Sequence, residues 1–362
     1  SPTSGIDPKE LFDVSPHADT AFRYFLRNPI CQEMGRKIKI SFSNTEEDTS
    51  LAYLHDMGFI PKIDKDIRGF KVVVGGGLGA QPMLAHIAFE FLPEDQVIPF
   101  MESVLRVFDR HGERNSRHKA RMKFLIQKIG FEEFINLVRA ETKALKNHSF
   151  PISDEAAWEV SEPTQLSNVA MPTSEAYKTW LATNTFEQKQ KGFHGVYVRI
   201  LNGNISSDTS RSLIGALQGY IGDDVRITIN QGLLLKFVPT ANLPYVFQTL
   251  AAHELAAPGA NSTANITACP GTDTCNLAIS DSTNITSKLE QVINDEFPSL
   301  IHDSAMKIKI SGCMNACGQH SMASIGFHGS SLKAADKRVL PALQVLIGGA
   351  TLGNGDGRID RK

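Results

Sequence analysis

Cys269-Pro-Gly-Thr-Asp-Thr-Cys275 and Cys313-Met-Asn-Ala-Cys317 decide what this chain can be. Five residues separate the first two sulfurs, three separate the second two, and 37 lie between the pairs. Four thiolates brought together make a site for a soft metal or an iron–sulfur cluster. Structural zinc favours two- to four-residue gaps, and a five-residue gap is unusual for it. The corners of a cubane lie further apart than the ligand positions on one zinc ion, so a cubane suits wider gaps. Spacing alone leaves three readings: an iron–sulfur cluster, zinc, or unrelated buried cysteines.

Outward from the second pair, the chain repeats itself. Lys37-Ile-Lys-Ile-Ser41 recurs as Lys307-Ile-Lys-Ile-Ser311. Each copy leads to a Gly-Phe step, Gly58-Phe59 and Gly326-Phe327. Each then runs into an apolar strand ending in glycines, Val72 to Gly79 and Val345 to Gly353. Matched features in one order predict two copies of a strand–helix–strand unit. The second copy carries the cysteines, whereas the first has Phe42-Ser-Asn-Thr45 there and cannot ligate a metal.

Apolar residues at helical spacing predict helices over 99–108, 123–131 and 134–138. Residues 147–190 read as a connecting segment rich in proline and polar residues, packed by Trp158 and Trp180. After it come a strand (195–200), a helix (209–219), paired strands (225–231 and 233–238) and a helix (244–253). That β-α-β-β-α order is ferredoxin-like.

The stretches Thr267-Ala-Cys-Pro-Gly-Thr-Asp-Thr-Cys-Asn-Leu-Ala278 and Ser311-Gly-Cys-Met-Asn-Ala-Cys-Gly-Gln-His320 closely resemble the cluster motifs of the sirohaem sulfite and nitrite reductases. The resemblance implies that Cys269, Cys275, Cys313 and Cys317 hold a [4Fe–4S] cluster and that Cys317 also bridges to sirohaem iron. It implies an α+β fold of two related α/β repeats plus one ferredoxin-like half-domain. The expected divisions are a first repeat (1–146), the connecting segment (147–190), the half-domain (191–256) and a cofactor-binding second repeat (257–362). The family has two half-domains, so the chain resembles a piece of a longer protein. The arginines that grip sirohaem and substrate in the family belong to the half-domain not found here. The activity implied is six-electron reduction of sulfite to sulfide, with nitrite reduction to ammonia as the alternative. An alternative of another class is a cofactor-binding or electron-transfer module without turnover.

Lys37 and Lys39 stand two apart on a predicted strand, so both side chains emerge on one face about 7 Å apart. Two ammonium groups there suit a doubly charged anion and its protonation. Alternation alone equally describes a solvated strand face. The resemblance decides for the first, since Arg36-Lys-Ile-Lys39 matches two substrate-facing lysines of sulfite reductases. Plant-type nitrite reductases tend to carry Asn at the second, so Lys39 favours sulfite. Lys307 and Lys309 are expected on a solvated face. Asn315 either hydrogen-bonds the cofactor or caps a turn. His320 is expected to be structural, because four cysteines need no further ligand.

Gly75-Gly-Gly-Leu-Gly-Ala80 meets the dinucleotide fingerprint only in its looser form, and Glu90, expected in a helix, has no place at a ribose. Close packing is the expected use of these glycines. Arg114, Arg117, Lys119 and Arg121 read as an exposed basic surface, either simply solvated or docking an acidic donor. Arg226, Thr228 and Asn230 alternate on one strand face and echo, by the resemblance, a sirohaem-contacting motif of the other half-domain.

Bulk properties set the remaining bounds. Lys plus Arg total 37 against 39 Asp plus Glu, so no nucleic-acid scaffold is indicated. No apolar run reaches membrane-spanning length, and Ser1 to Asp7 is not a signal peptide. Five cysteines do not make a disulfide framework, and Cys31 reads as a small buried apolar residue. These features suit a reducing cytoplasm. The expected partners are a small oxyanion and a ferredoxin or flavoprotein donor.

Overall fold

The structure, a computed structural model, describes residues 1–153 and 160–349. Trp158 and Gly353, named above, lie outside them. The fold is α+β, built on three four-stranded sheets.

The first repeat opens with α1 (Ser15–Leu26) and forms the sheet β1 (Ile40–Phe42), β2 (Met57–Asp64), β3 (Ile67–Val74) and β4 (His86–Pro93), in that spatial order. The β1–β2 pair is parallel and the others are antiparallel. α2 (Val97–His111), α3 (Met122–Ile129) and α4 (Phe131–Ala144) cover it. Their apolar stripes meet Phe59, Phe70, Val72 and Val74 in the largest core. Gly130, at φ +87°, breaks the helical run expected over 123–131, so that α4 starts as a separate helix.

The segment expected to be only a connection carries α5 (Glu175–Asn184) and β5 (Thr185–Glu187). Both belong to the half-domain, whose sheet runs β5, β6 (Phe193–Val198), β8 (Leu233–Pro239) and β7 (Val225–Ile227). α6 (Ser207–Leu217) and α7 (Leu243–Ala252) complete it. Trp180 is fully buried with Tyr177 and Phe247 against its core. The strand expected over 225–231 ends at Ile227, because residues 228–232 close a tight turn. In that turn Thr228 N–H donates to Gly232 O at 2.9 Å, and Gly232 N–H to Thr228 Oγ1 at 3.0 Å.

The second repeat forms a sheet in the order β12 (Val339–Ile347), β11 (Ile325–Lys333), β10 (Ile308–Ser311) and β9 (Thr267–Ala268), with α8 (Ser282–Glu296) packed on β9 and β10. β10 pairs parallel with β11, as β1 does with β2, and β11 pairs antiparallel with β12, as β2 does with β3. The repeat therefore holds, with a 3-10 turn where a helix was expected. Its alignment differs from the sequence match by two residues. Lys39 N–H donates to Asp56 Oδ2 at 2.8 Å, and Lys307 N–H donates to Ser324 Oγ at 3.1 Å. The 3-10 turns are Ala52–Leu54 and His320–Met322. Left-handed backbone falls at Asp48 (57°) and Leu51 (56°) in one copy, and at Ala316 (58°) and Gln319 (63°) in the other. Lys307 thus occupies the place of Lys39, not of Lys37, and Thr45 and Thr49 stand where Cys313 and Cys317 do.

In the first copy hydrogen bonds organise the loop. Buried Asp48 accepts from Ser43 Oγ at 2.7 Å and from Ala52 N–H at 2.7 Å. The two 3-10 turns meet where Met322 packs into the cluster of Leu51, Ala52, Tyr53 and Leu54.

Candidate functional site

The two cysteine stretches lie against each other. Gly312 N–H donates to Cys269 Sγ at 3.0 Å, and Ile279 N–H donates to Gly312 O at 2.7 Å. A Cβ on Gly312 would stand 2.7 Å from the Gly271 Cα, so the crossing needs glycine at that point. Ser282 Oγ donates to Cys269 O at 2.7 Å. Cys313 is buried, Cys269 and Cys275 are half-buried, and Cys317 is exposed. Among the described residues no three His, Cys, Asp or Glu side chains group tightly enough for one metal ion. Interlocked limbs that carry soft thiols, with Cys269 and Cys313 close enough to raise the Cys317 thiol, fit a thiolate-held group open at Cys317.

Lys37 and Lys39 are exposed and lie just before β1, not on it as expected, because strand pairing begins only at Ile40. Although Lys39 reaches solvent, enough protein surrounds it that desolvation is the largest influence on its ammonium. Arg121 and Lys37 add to that effect, holding it below its ordinary value against Asp56 and Cys317. Burial, then Cys269 and Cys313, raise the Cys317 thiol, while Lys39 and Lys37 oppose them. The charges of the first repeat's lysines and the thiol of the second repeat's exposed cysteine therefore influence one another.

Behind this face stand Asp56 and Lys123, which the sequence did not single out, and Arg121, which it placed on an exposed surface. Asp56 is fully buried. Its carboxylate takes the Lys39 N–H and binds Arg121 through Nη2 at 2.6 Å and Nε at 3.3 Å. Arg121 is thus largely buried, contrary to the expected exposed basic group, while Arg117 and Lys119 are exposed as expected. Arg114 pairs with Asp109. Buried Lys123 donates to Leu78 O at 3.0 Å and Gln81 O at 2.6 Å, and so fixes the glycine loop. The loop does pack closely, since a Cβ on Gly76 would stand 2.2 Å from Tyr53 O. Asn315 is exposed between Cys313 and Cys317. His320 is buried against the His328 ring, and burial holds its imidazole down to about 4.

Lys307 and Lys309 are not solvated. The half-domain turn reaches Lys309, whose Nζ donates to Asn230 Oδ1 at 3.3 Å and to Thr267 Oγ1 of β9 at 3.2 Å, while half-buried Lys307 donates through Nζ to Asn261 O. Burial brings the Lys309 amine down to about 7 from an ordinary 10.5. Between those values the unfolded chain binds one more proton than the folded chain. Stability should then rise with pH by about 1.4 kcal/mol per unit, and below pH 7 the burial penalty is complete. Lys309→Met is expected to flatten that rise, as read from urea unfolding at pH 7, 8 and 9. A slope equal to that of the parent would show that another group carries it.

The nitrite and sulphite reductase 4Fe-4S domain matches residues 1–146 and 259–358, more than half of the chain. The chain belongs to this family. The nitrite/sulfite reductase ferredoxin-like half domain matches residues 186–253. The family's cofactors are a [4Fe–4S] cluster and sirohaem. The chain is 23% identical to ferredoxin–nitrite reductase of Oryza sativa subsp. japonica, over 96% of this chain and 56% of that protein. It is 26% identical to sulfite reductase [ferredoxin] 1 of Mycolicibacterium paratuberculosis, over 96% of this chain and 59% of that protein. The structure of the NirA protein of Mycobacterium tuberculosis superposes with a TM-score of 0.79 at 25% identity, covering all of this chain and 63% of that one. The chain therefore spans less than two thirds of these relatives. Among the described residues no helix is long and apolar enough to cross a membrane.

Proposed function

We propose that the chain forms part of a sirohaem-dependent reductase that takes sulfite to sulfide in a six-electron reaction. Cys269, Cys275, Cys313 and Cys317 would hold the [4Fe–4S] cluster, and Cys317, the exposed one, would bridge to sirohaem. The observation that supports this reading is the electrostatic coupling of Lys37 and Lys39 of one repeat to the Cys317 thiol of the other. Cluster and sirohaem, when bound, supply the electron path. The chain's own part is electrostatic and acid–base. Lys37 and Lys39 attract the oxyanion and offer protons to the oxygens that leave as water. Desolvation eases proton release from Lys39. Asp56 fixes the main chain of Lys39, so its ammonium is aimed without strand movement. Asn315, exposed between Cys313 and Cys317, would hydrogen-bond the cofactor.

Ferredoxin is the electron donor we favour over a flavoprotein, following the relatives named for it. Exposed Arg117 and Lys119 add to a surface suited to an acidic protein. The test is anaerobic loading with iron, sulfide and sirohaem, followed by absorption spectroscopy and sulfite consumption with a chemical reductant. The expected result is cluster and sirohaem bands with sulfide release. Cofactor bands without turnover would favour the electron-transfer module, and faster consumption of nitrite would favour the nitrite alternative.

A further inference from the structure

β9 is an edge strand that leads directly into Cys269. On one side Cys269 N–H donates to Ile310 O of β10 at 3.1 Å. The N–H and C=O of Ala268 point to the other side, where the sheet has no further strand. The Gln231 side chain fills that edge. Ala268 N–H donates to Gln231 Oε1 at 2.8 Å, and Gln231 Nε2 donates to Ala268 O at 2.6 Å. One amide thus copies the paired bonds of a neighbouring strand. Gln231 reaches there from the 228–232 turn with φ at 64°, a left-handed conformation that a side-chain-bearing residue keeps only when its surroundings enforce it.

A second link brackets the same segment. Arg199, just after β6, donates to Ala264 O at 2.7 Å and to Glu290 Oε2 at 2.9 Å. Glu290 Oε1 accepts from Ile266 N–H at 3.1 Å. The half-domain therefore grips residues 264–268 at both ends, immediately before the first cysteine.

We propose that Gln231 is a positioning residue for Cys269, so that the half-domain governs how firmly the first cysteine limb holds its cluster. This rests on the cluster reading above. Cys269 Sγ accepts the Gly312 N–H, and hydrogen bonds to ligand sulfur tune a cluster's potential. A limb freed at Ala268 would loosen that bond as well as the ligand.

The experiment compares Gln231→Ala with the parent in the full chain, by two readouts. In metal-free protein, alkylation of Cys269 is followed by peptide mass spectrometry, with Cys31 as internal reference. Losing two hydrogen bonds should raise local opening and speed alkylation of Cys269 about tenfold. Gln231→Glu keeps the oxygen for Ala268 N–H and should fall between parent and Ala. In cluster-loaded protein, iron release to a chelator should also quicken about tenfold, with a shifted reduction potential. Val238→Ala loosens the half-domain core without touching Ala268 and should leave the Cys269:Cys31 ratio unchanged. Equal Cys269 rates in parent and Gln231→Ala, or an equal rise in Val238→Ala, would overturn the proposal. A parent that takes up no iron would defeat the cluster reading, while alkylation would still decide the role of Gln231.

Discussion

Replacing Cys269 with serine is expected to cost the chain most of its cluster iron and its visible absorbance. A serine hydroxyl is a hard, rarely ionised donor, whereas the cluster needs soft thiolates. The neighbouring chain cannot compensate, because Gly312, Ile279 and Ser282 are already hydrogen-bonded around this limb. Cys31 serves as the control. It packs on the first repeat's core, and Cys31→Ser should leave iron content at the parental level. Iron and acid-labile sulfide per chain, measured after anaerobic loading, decide it. Parental iron in Cys269→Ser would remove that residue from the ligand set.

The second large effect concerns Lys39 and is read in cofactor-loaded protein. Lys39→Asn should lower kcat/KM for nitrite about tenfold and for sulfite about a hundredfold. The ratio follows from Coulomb's law: losing one cation costs a dianion twice the energy that it costs a monoanion, so the fold-loss is squared. Sulfite also sheds more oxygens, each needing protons. The main chain of Lys39 is anchored by Asp56 and by Met57 N–H, so the change should report on the ammonium rather than on a shifted strand. Lys39→Arg should retain most of the discrimination. Steady-state kinetics with a chemical reductant, in mildly alkaline buffer where sulfite is mostly the dianion, would test this. Equal losses on both substrates would assign Lys39 to cofactor carboxylates, and no loss would return it to a solvated surface.

The cysteine limbs were legible because four thiols at these spacings have few uses. The repeat was legible too, but two residues out of step. A strand repeats its faces every second residue, so a shift of two preserves the pattern of inward and outward side chains, and only the Gly-Phe steps, 268 residues apart against 270 for the lysine runs, carry the true register. Alternation likewise gave the face of Lys309 without saying what lies over it. The covering turn at 228–232 is about 80 residues away in the chain, beyond any local pattern. Asp56 and Arg121 were opaque for the same reason, since a charged pair 65 positions apart has no periodicity. α5 and β5 were hidden by the prolines and polar residues before them, although Trp180 was correctly read as a packing residue.

The matched backbones of the two loops bear on how the enzyme matures. Thr45 to Leu51 and Cys313 to Gln319 follow the same path, with left-handed residues at equivalent places, yet the first copy has no thiols. That path is thus sustainable by ordinary hydrogen bonds alone. A zinc finger works the other way, with the metal driving the collapse of an otherwise unfolded peptide. Here biogenesis would run fold first and load later. An assembly machine delivering a preformed cluster would meet a receptacle already in shape, with Cys317 outermost as the first thiol to touch the cargo.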